Sequence, residues 1–408
     1  MTTFDKLYDF LGKGLRDFPW PIELVSPAGT SRIIGGEDVH WYGQPLRIHF
    51  KTESSIQNTR NLNGMAILED FLRGESDMSG NLYVLTYLRR HFKLDLSFLQ
   101  RLPSIIKNSL FQTVQRARLS VTSHYDIPQA VLDNYLDKRY LSYSCAMFEN
   151  PAELSPGTLV ATGIGKEDSF DSLEKAQWRK FQDAVEFVDP SAGDTILDVG
   201  CGYGGQLEVA LENPQFSKVV GCTHSKNQVE VGRKNLARFT GRDWEMREAD
   251  YREDVRVFNH ITSTGMVSHV GPRGLAPYVR EIRKRIRTGG RYVHHALMTP
   301  FSKTPLDAEV GAAFNKKYVW PGFHWFTLGE HIKTLEENGF EVQRSLNLSP
   351  NYAKTTAAWY ERFMANSQEI LSLINQQTFR AWQLYLAGAS GSFHSKTSHV
   401  YRVYCTAV

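Results

Sequence analysis

Leu197-Asp198-Val199-Gly200-Cys201-Gly202-Tyr203-Gly204-Gly205 decides the fold, because an apolar strand runs here into a glycine-rich turn and then into the helical stretch Leu207 to Glu212. Glycines let a backbone take positive φ and approach a ligand closely. In an open α/β sheet such a turn lies at the carboxyl ends of the strands, where ligands bind. Asp198 would repel a diphosphate and suits a cationic ligand with an amino acid moiety, as in S-adenosylmethionine. A dinucleotide fits less well: the glycines read G-x-G-x-G, and no acidic residue ends the second strand. A purely structural turn is the remaining alternative.

Outward from the turn, strands and helices alternate. Thr195–Val199, Lys218–Gly221, Trp244–Arg247, Phe258–Thr262 and Tyr292–Ala296 read as strands with helical stretches between most of them, the pattern of a doubly wound parallel sheet. Helix is expected over 327–338 and 354–389, and a last strand at His399–Tyr404. Before residue 88, short alternating stretches such as Arg47–Lys51 follow turn signals at Ser26–Gly29, Gly35-Gly36 and Gly43–Pro45, and residues 64–92 look helical. The expectation is a small α+β domain with an antiparallel sheet.

The 408 residues are 41% hydrophobic and 12% aromatic, which excludes a disordered chain. With 47 basic and 44 acidic side chains the net charge is +3, so no whole-protein footprint for nucleic acid exists and no nucleic-acid partner is expected. Charge is local instead. Residues 1–88 hold 8 basic and 11 acidic side chains, whereas 89–118 hold 7 basic and 1 acidic. Apolar residues in that stretch recur at mostly helical spacing, with Pro103 as a break. They suit either an interfacial element facing anionic lipid or a docked linker with a solvated charged face. The domains are thus read as 1–88, a basic amphipathic linker at 89–123, and 124–408. Cys145, Cys201, Cys222 and Cys405 form no C-x-x-C pair, so reduced thiols, no metal site and a cytoplasmic setting are expected. Charges interrupt every apolar run in the first 20 residues, against a signal peptide, and no stretch is long and apolar enough to span a bilayer.

These residues carry a family resemblance. HYD at 124–126, YSCAMF at 143–148, LDVGCGYGG at 197–205, SKNQ at 225–228, HVGP at 269–272 and AWYERF at 358–363 resemble, in order, the cyclopropane fatty acid synthases, S-adenosylmethionine-dependent enzymes that methylate the cis double bond of phospholipid acyl chains. The first 90 residues resemble, more weakly, the small amino-terminal domain of longer members. The resemblance implies a class I methyltransferase, Rossmann-like fold. It implies that Gly200, Gly202 and Gly204 line the methionine part of the donor beside Asp198, that Tyr143 and Ser144 close over it, that Thr223 and Gln228 meet the ribose, and that Asp250 and Tyr251 flank the adenine. It further implies a bicarbonate ion as base, near Cys145, His295 and Tyr352. The aromatic run Tyr318–Phe326 is either packing under an insertion at about 299–326 or the wall of an acyl-chain tunnel.

One position departs from the family. Where its members read F-E-H-V-G-P, this chain has Val267-Ser268-His269-Val270-Gly271-Pro272, so a carboxylate that would orient bicarbonate has become a hydroxyl. Ring formation is then in doubt, and a methyl- or methylene-branched product is the leading expectation. His294, His295, His269 and Glu149 are the replacement bases to consider. Rival readings are a small-molecule methyltransferase and a non-catalytic lipid-binding relative. The expected partners are a phospholipid with a cis-unsaturated chain and the inner, anionic membrane surface, with a homodimer or a partner reductase left open.

Overall fold

The computed structural model describes residues 1–37, 44–91, 127–149, 151, 171–300, 306–320 and 322–408. The basic stretch expected to form amphipathic helices lies almost wholly outside these residues.

Near the amino terminus, the helix Thr3–Gly14 starts from a capping box in which Thr2 and Asp5 satisfy each other's backbone N–H. Four short strands follow, β1 (Ile22–Val25), β2 (Ser31–Ile34), β3 (Leu46–Phe50) and β4 (Ser76–Gly80), in the order β2-β1-β3-β4. The expected antiparallel sheet is mixed, because β1 and β3 run parallel. The expected helix over 64–92 is also interrupted. It stops at Gly74, whose φ of 78° gives a left-handed cap, and the chain then pairs with β3 as β4 before helix resumes at Leu85–His91.

The second sheet has seven strands. They are β5 (Asp194–Val199), β6 (Phe216–Thr223), β7 (Trp244–Glu248), β8 (His260–Thr264), β9 (Arg291–Met298), β10 (Phe340–Asn347) and β11 (His399–Ala407), ordered β10-β11-β9-β8-β5-β6-β7. From β9 to β7 every pairing is parallel, while β11 is antiparallel to both of its neighbours. The chain winds outward from β5 in one direction and then crosses to β8, so a crevice opens beyond the carboxyl ends of these strands. Strand β8 sits two residues later than its apolar run indicates. Strand β10 carries no clear sequence signal, since all but its first residue are partly or fully exposed; pairing with β11 holds it in place.

The expected run over 354–389 is three helices, Ser349–Ala365, Ser367–Leu373 and Gln376–His394. Asn375 ends the second stretch and caps the third by accepting from the Thr378 N–H at 2.8 Å. These helices do not pack only on the large sheet. Tyr83 meets Tyr360 edge-on at 5.4 Å, Arg380 donates to the Phe71 carbonyl, and one apolar cluster runs from Phe4 through Trp359 to Phe393. Lys317 and Tyr318 both reach Glu69, which pins the helix Leu306–Tyr318 to the amino-terminal elements.

Candidate active site

At the end of β5, Gly200 and Cys201 both donate their N–H to the Cys222 carbonyl of β6, closing the turn onto its neighbour. Gly200 and Gly202 have φ of 78° and 54°, conformations that a side chain makes costly. A Cβ on Gly202 would meet nothing within 4 Å, because that position faces a cleft. The cleft is lined by Tyr143, Gly200, Gly202, Thr223, Gln228, Asp250 and Tyr251 among others, so seven of the expected donor residues converge from five separate segments.

Local structure explains the convergence. Ser225 caps the helix Lys226–Leu236 by accepting from the Gln228 N–H, which brings the Gln228 side chain back to accept from Thr223 Oγ1 at 2.7 Å. Asp250 caps a short 3₁₀ turn and is gripped by Arg252 at 2.6 and 2.7 Å and by His224 Nε2 at 3.1 Å. Burial opposes its ionisation, but these donors hold the carboxyl well below the usual carboxylate range. Tyr143 stacks on Trp359 at 4.9 Å and on Trp320 at 5.6 Å. Its wall therefore joins the helix Ser349–Ala365 to the aromatic run, of which Trp320 lines the cleft while Phe323 and Phe326 are buried.

Three expected donor residues do not line the cleft. Asp198 lies beneath the turn, accepting from Thr262 Oγ1 at 2.8 Å, and burial pushes its carboxyl up to about 7; it supports the loop rather than facing a cationic ligand. Gly204 opens the helix Gly205–Glu212 against Leu236 and Met246. Ser144 turns its hydroxyl to Lys180 Nζ at 2.9 Å.

Cys145, Ser268, His295 and Tyr352 are all buried just behind the cleft. Each is tied to its wall: Cys145 follows Tyr143 by two residues, Ser268 precedes the lining His269, His295 pairs in register with the lining Thr264, and Tyr352 meets Trp359 edge-on. Burial pushes the Cys145 thiol up to about 12, which suits a small wall residue and not a nucleophile. His295 is held neutral by burial and by the nearby charges of Arg402 and Lys180. Arg402 Nε points at its Nδ1 from 3.4 Å, leaving the proton on Nε2. That atom and the Ser268 hydroxyl are both buried with no hydrogen-bond partner, so the residues present fit a small polar guest such as bicarbonate.

Two of the other possible bases face elsewhere. His294 is engaged at both nitrogens, by Tyr292 at 2.8 Å and His331 at 3.0 Å, and Glu149 is an exposed partner of Arg179. His269 lines the cleft, but burial lowers it to about 4. His224, Arg252, Met266 and Trp320 also line the cleft and are additions to the residues expected from the motifs; only Trp320, inside the aromatic run, carried a signal.

A seven-stranded sheet of this order, with a glycine turn at the switch point and a cleft beyond it, defines a class I S-adenosylmethionine-dependent methyltransferase. Residues 112–403 match the family described as mycolic acid cyclopropane synthetase, and the chain belongs to that family of C-methyltransferases. It is 29% identical over 288 residues to a probable fatty acid methyltransferase of Pseudomonas putida, covering 70% of this chain and 68% of the relative. It is 27% identical over 292 residues to the cyclopropane-fatty-acyl-phospholipid synthase of Escherichia coli strain K12, covering 72% and 69%. Among solved structures, the cyclopropane synthase MmaA2 from Mycobacterium tuberculosis superposes with a TM-score of 0.63 at 24% identity, over 73% of this chain and 100% of that one, a likeness of fold.

Proposed function

We propose that this methyltransferase acts on the cis double bond of an unsaturated phospholipid acyl chain and yields mainly a methyl- or methylene-branched chain. The observation that carries the product assignment is Ser268, a buried hydroxyl without a partner where the resemblance expects a carboxylate.

The alkene π electrons attack the donor methyl carbon, the carbon–sulfur bond breaks, and a carbocation remains on the chain. No nucleophilic side chain is needed. What this protein supplies is near-attack geometry and exclusion of water: the Gly200–Gly202 turn, Thr223 and Gln228 hold the donor, and Tyr143 and Trp320, backed by the buried Trp359, give the cleft aromatic rings that favour a developing cation. A hydride shift to the cation followed by proton loss from the new methyl group gives a methylene branch. A saturated methyl branch requires hydride from outside the chain, which is where a partner reductase would act.

Ring closure is the second reading, favoured by the unpartnered Ser268 Oγ and His295 Nε2. His295 Nε2, donating, and the Ser268 hydroxyl would hold a bicarbonate ion, which would supply a base. The basic stretch 89–118 supports work at an anionic membrane surface. No helix among the described residues is long and apolar enough to cross a membrane.

The test is incubation of the protein with isotopically labelled S-adenosylmethionine and anionic vesicles of a cis-monounsaturated phospholipid, in parallel with the free fatty acid, followed by mass spectrometry. Label in a branched acyl chain of the phospholipid is expected. Label only in the free acid would overturn the phospholipid assignment, and a labelled ring would overturn the product.

A further inference from the structure

The helix Leu173–Val188 buries Leu173, Ala176, Gln177, Lys180, Phe181, Ala184, Val185 and Val188, an apolar stripe with two polar residues set into it. Lys180 is fully buried. Removing an ammonium group from water costs several kcal/mol unless its hydrogen bonds and charge are answered, so the surroundings of Lys180 must be accounted for.

All three of its N–H donors are used. Nζ donates to Ser142 Oγ at 2.5 Å, Ser144 Oγ at 2.9 Å and Gln177 Oε1 at 2.5 Å. Gln177 turns its amide the other way and donates to the Ser144 carbonyl at 2.9 Å and the Ser142 carbonyl at 3.4 Å. From the opposite side the buried Asp137 accepts from the Tyr140 N–H at 2.6 Å and the Ser142 N–H at 2.7 Å. The segment Tyr140–Ser144 is therefore held by side chains on its N–H groups, carbonyls and hydroxyls. Between Ser142 and Ser144 is Tyr143, the one residue of the segment that lines the donor cleft. Burial, with the nearby charge of Arg402, brings the ammonium down to about 7 against the opposing charge of Asp137. An apolar side chain of this size would fill the space but take this donor from Ser142 Oγ, Ser144 Oγ and Gln177 Oε1, so Lys180 does more than pack: it ties the segment to the helix.

We infer that Lys180 is a positioning residue for donor binding: from the helix Leu173–Val188 it holds Ser142 and Ser144, and so fixes Tyr143 between them as the wall of the donor cleft. The inference rests on the cleft being the donor site. It has a geometric corollary, that Ser142 and Ser144 act through Lys180 and not by touching the donor.

Calorimetric titration of the full chain with S-adenosylhomocysteine tests both. The wild type must bind at one site per chain; no binding would remove the donor-site reading itself, separately from this inference. Lys180→Met is expected to weaken binding about tenfold or more, the size of losing hydrogen bonds from a charged group, with stoichiometry unchanged. Ser142→Ala should weaken it in the same direction by less, and the double variant should bind no more weakly than Lys180→Met, because a residue acting through another adds nothing once that residue is gone. A merely structural lysine would lower the number of competent sites and leave their affinity alone. Unchanged affinity in Lys180→Met, or additive losses in the double variant, would overturn the assignment. If Lys180→Met does not fold, Ser142→Ala carries the test, and wild-type affinity there overturns it.

Discussion

The donor side and the reaction side of this site are built in different ways. Apart from Tyr143, the donor residues run from Gly200 to Tyr251, spaced by strands β5 to β7 and held at strand ends where the fold itself creates a crevice. The proposed reaction side draws on Cys145, Ser268, His295 and Tyr352, which lie in a loop, a 3₁₀ turn, a strand and a long helix. The proposed donor site is thus local in sequence and anchored by backbone geometry. The proposed reaction side depends on distant elements meeting correctly, and under the proposed function a single change, a hydroxyl for a carboxylate at 268, redirects the chemistry.

The comparison breaks most severely at Gly202. Its φ of 54° and open Cβ direction mean that Gly202→Val both strains the turn, by about 1–3 kcal/mol, and projects methyl groups into the donor cleft. Binding of S-adenosylhomocysteine is expected to fall below calorimetric detection while the protein still melts cooperatively. Wild-type affinity would show that the backbone of this turn does not approach the donor.

Next in size is Asp250. Asp250→Asn leaves the shape but removes the charge that orders Arg252 and His224 at the cleft, and donor affinity should drop roughly tenfold, as for a lost charge-assisted hydrogen bond. Its pH behaviour has a definite sign. The folded carboxyl titrates lower than an unfolded one, so its contribution to stability is complete at neutral pH and is lost only as pH falls below about 4. Wild-type melting temperature should therefore fall more steeply than that of Asp250→Asn below that point; parallel curves would remove the ion pair from the account.

The same contrast explains what could be read in advance. The strand-turn-helix at 195–212 was legible because apolar runs, glycines and helical spacing all agree within 18 residues. Strand β10 was not, since an exposed edge strand lacks alternation, nor was β4, whose Ser-Asp-Met-Ser-Gly composition resembles a loop until β3 pairs with it. In the site, Asp198 was misplaced because a carboxylate beside a glycine turn looks identical in sequence whether it faces the ligand or, as here, Thr262. Gln177 and Lys180 did carry a signal, two polar residues at buried positions of an otherwise apolar helical stripe. Its meaning needed the distant Ser142 and Ser144. The reaction side was readable only through resemblance, as no spacing rule joins 145, 268, 295 and 352.

The smallest expected effect lies at Ser268. Both the ring and the methylene branch pass through the same methylated cation and lose a proton from the new methyl group, so the outcome depends on whether a base takes that proton before or after the hydride shift. At about 1.4 kcal/mol per tenfold change in a rate ratio, one reoriented group is enough to change the major product while the overall rate barely moves. Ser268→Glu would place a carboxylate beside His269, at a buried position whose hydroxyl now has no hydrogen-bond partner. It is expected to shift the product toward the cyclopropane. The added atoms enter a buried position between Val267 and the cleft wall, and overpacking of that kind costs about 1–3 kcal/mol of stability. The measurement is therefore the ratio of ring to branch, which a loss of folded protein leaves unchanged, and not the yield. Gas chromatography with mass spectrometry on lipids from cells expressing each form gives that ratio directly. A wild type that already makes mainly the ring would show that Ser268 serves where the carboxylate does, and a Ser268→Glu ratio equal to the wild type's would show that the timing of proton loss is set elsewhere in the site.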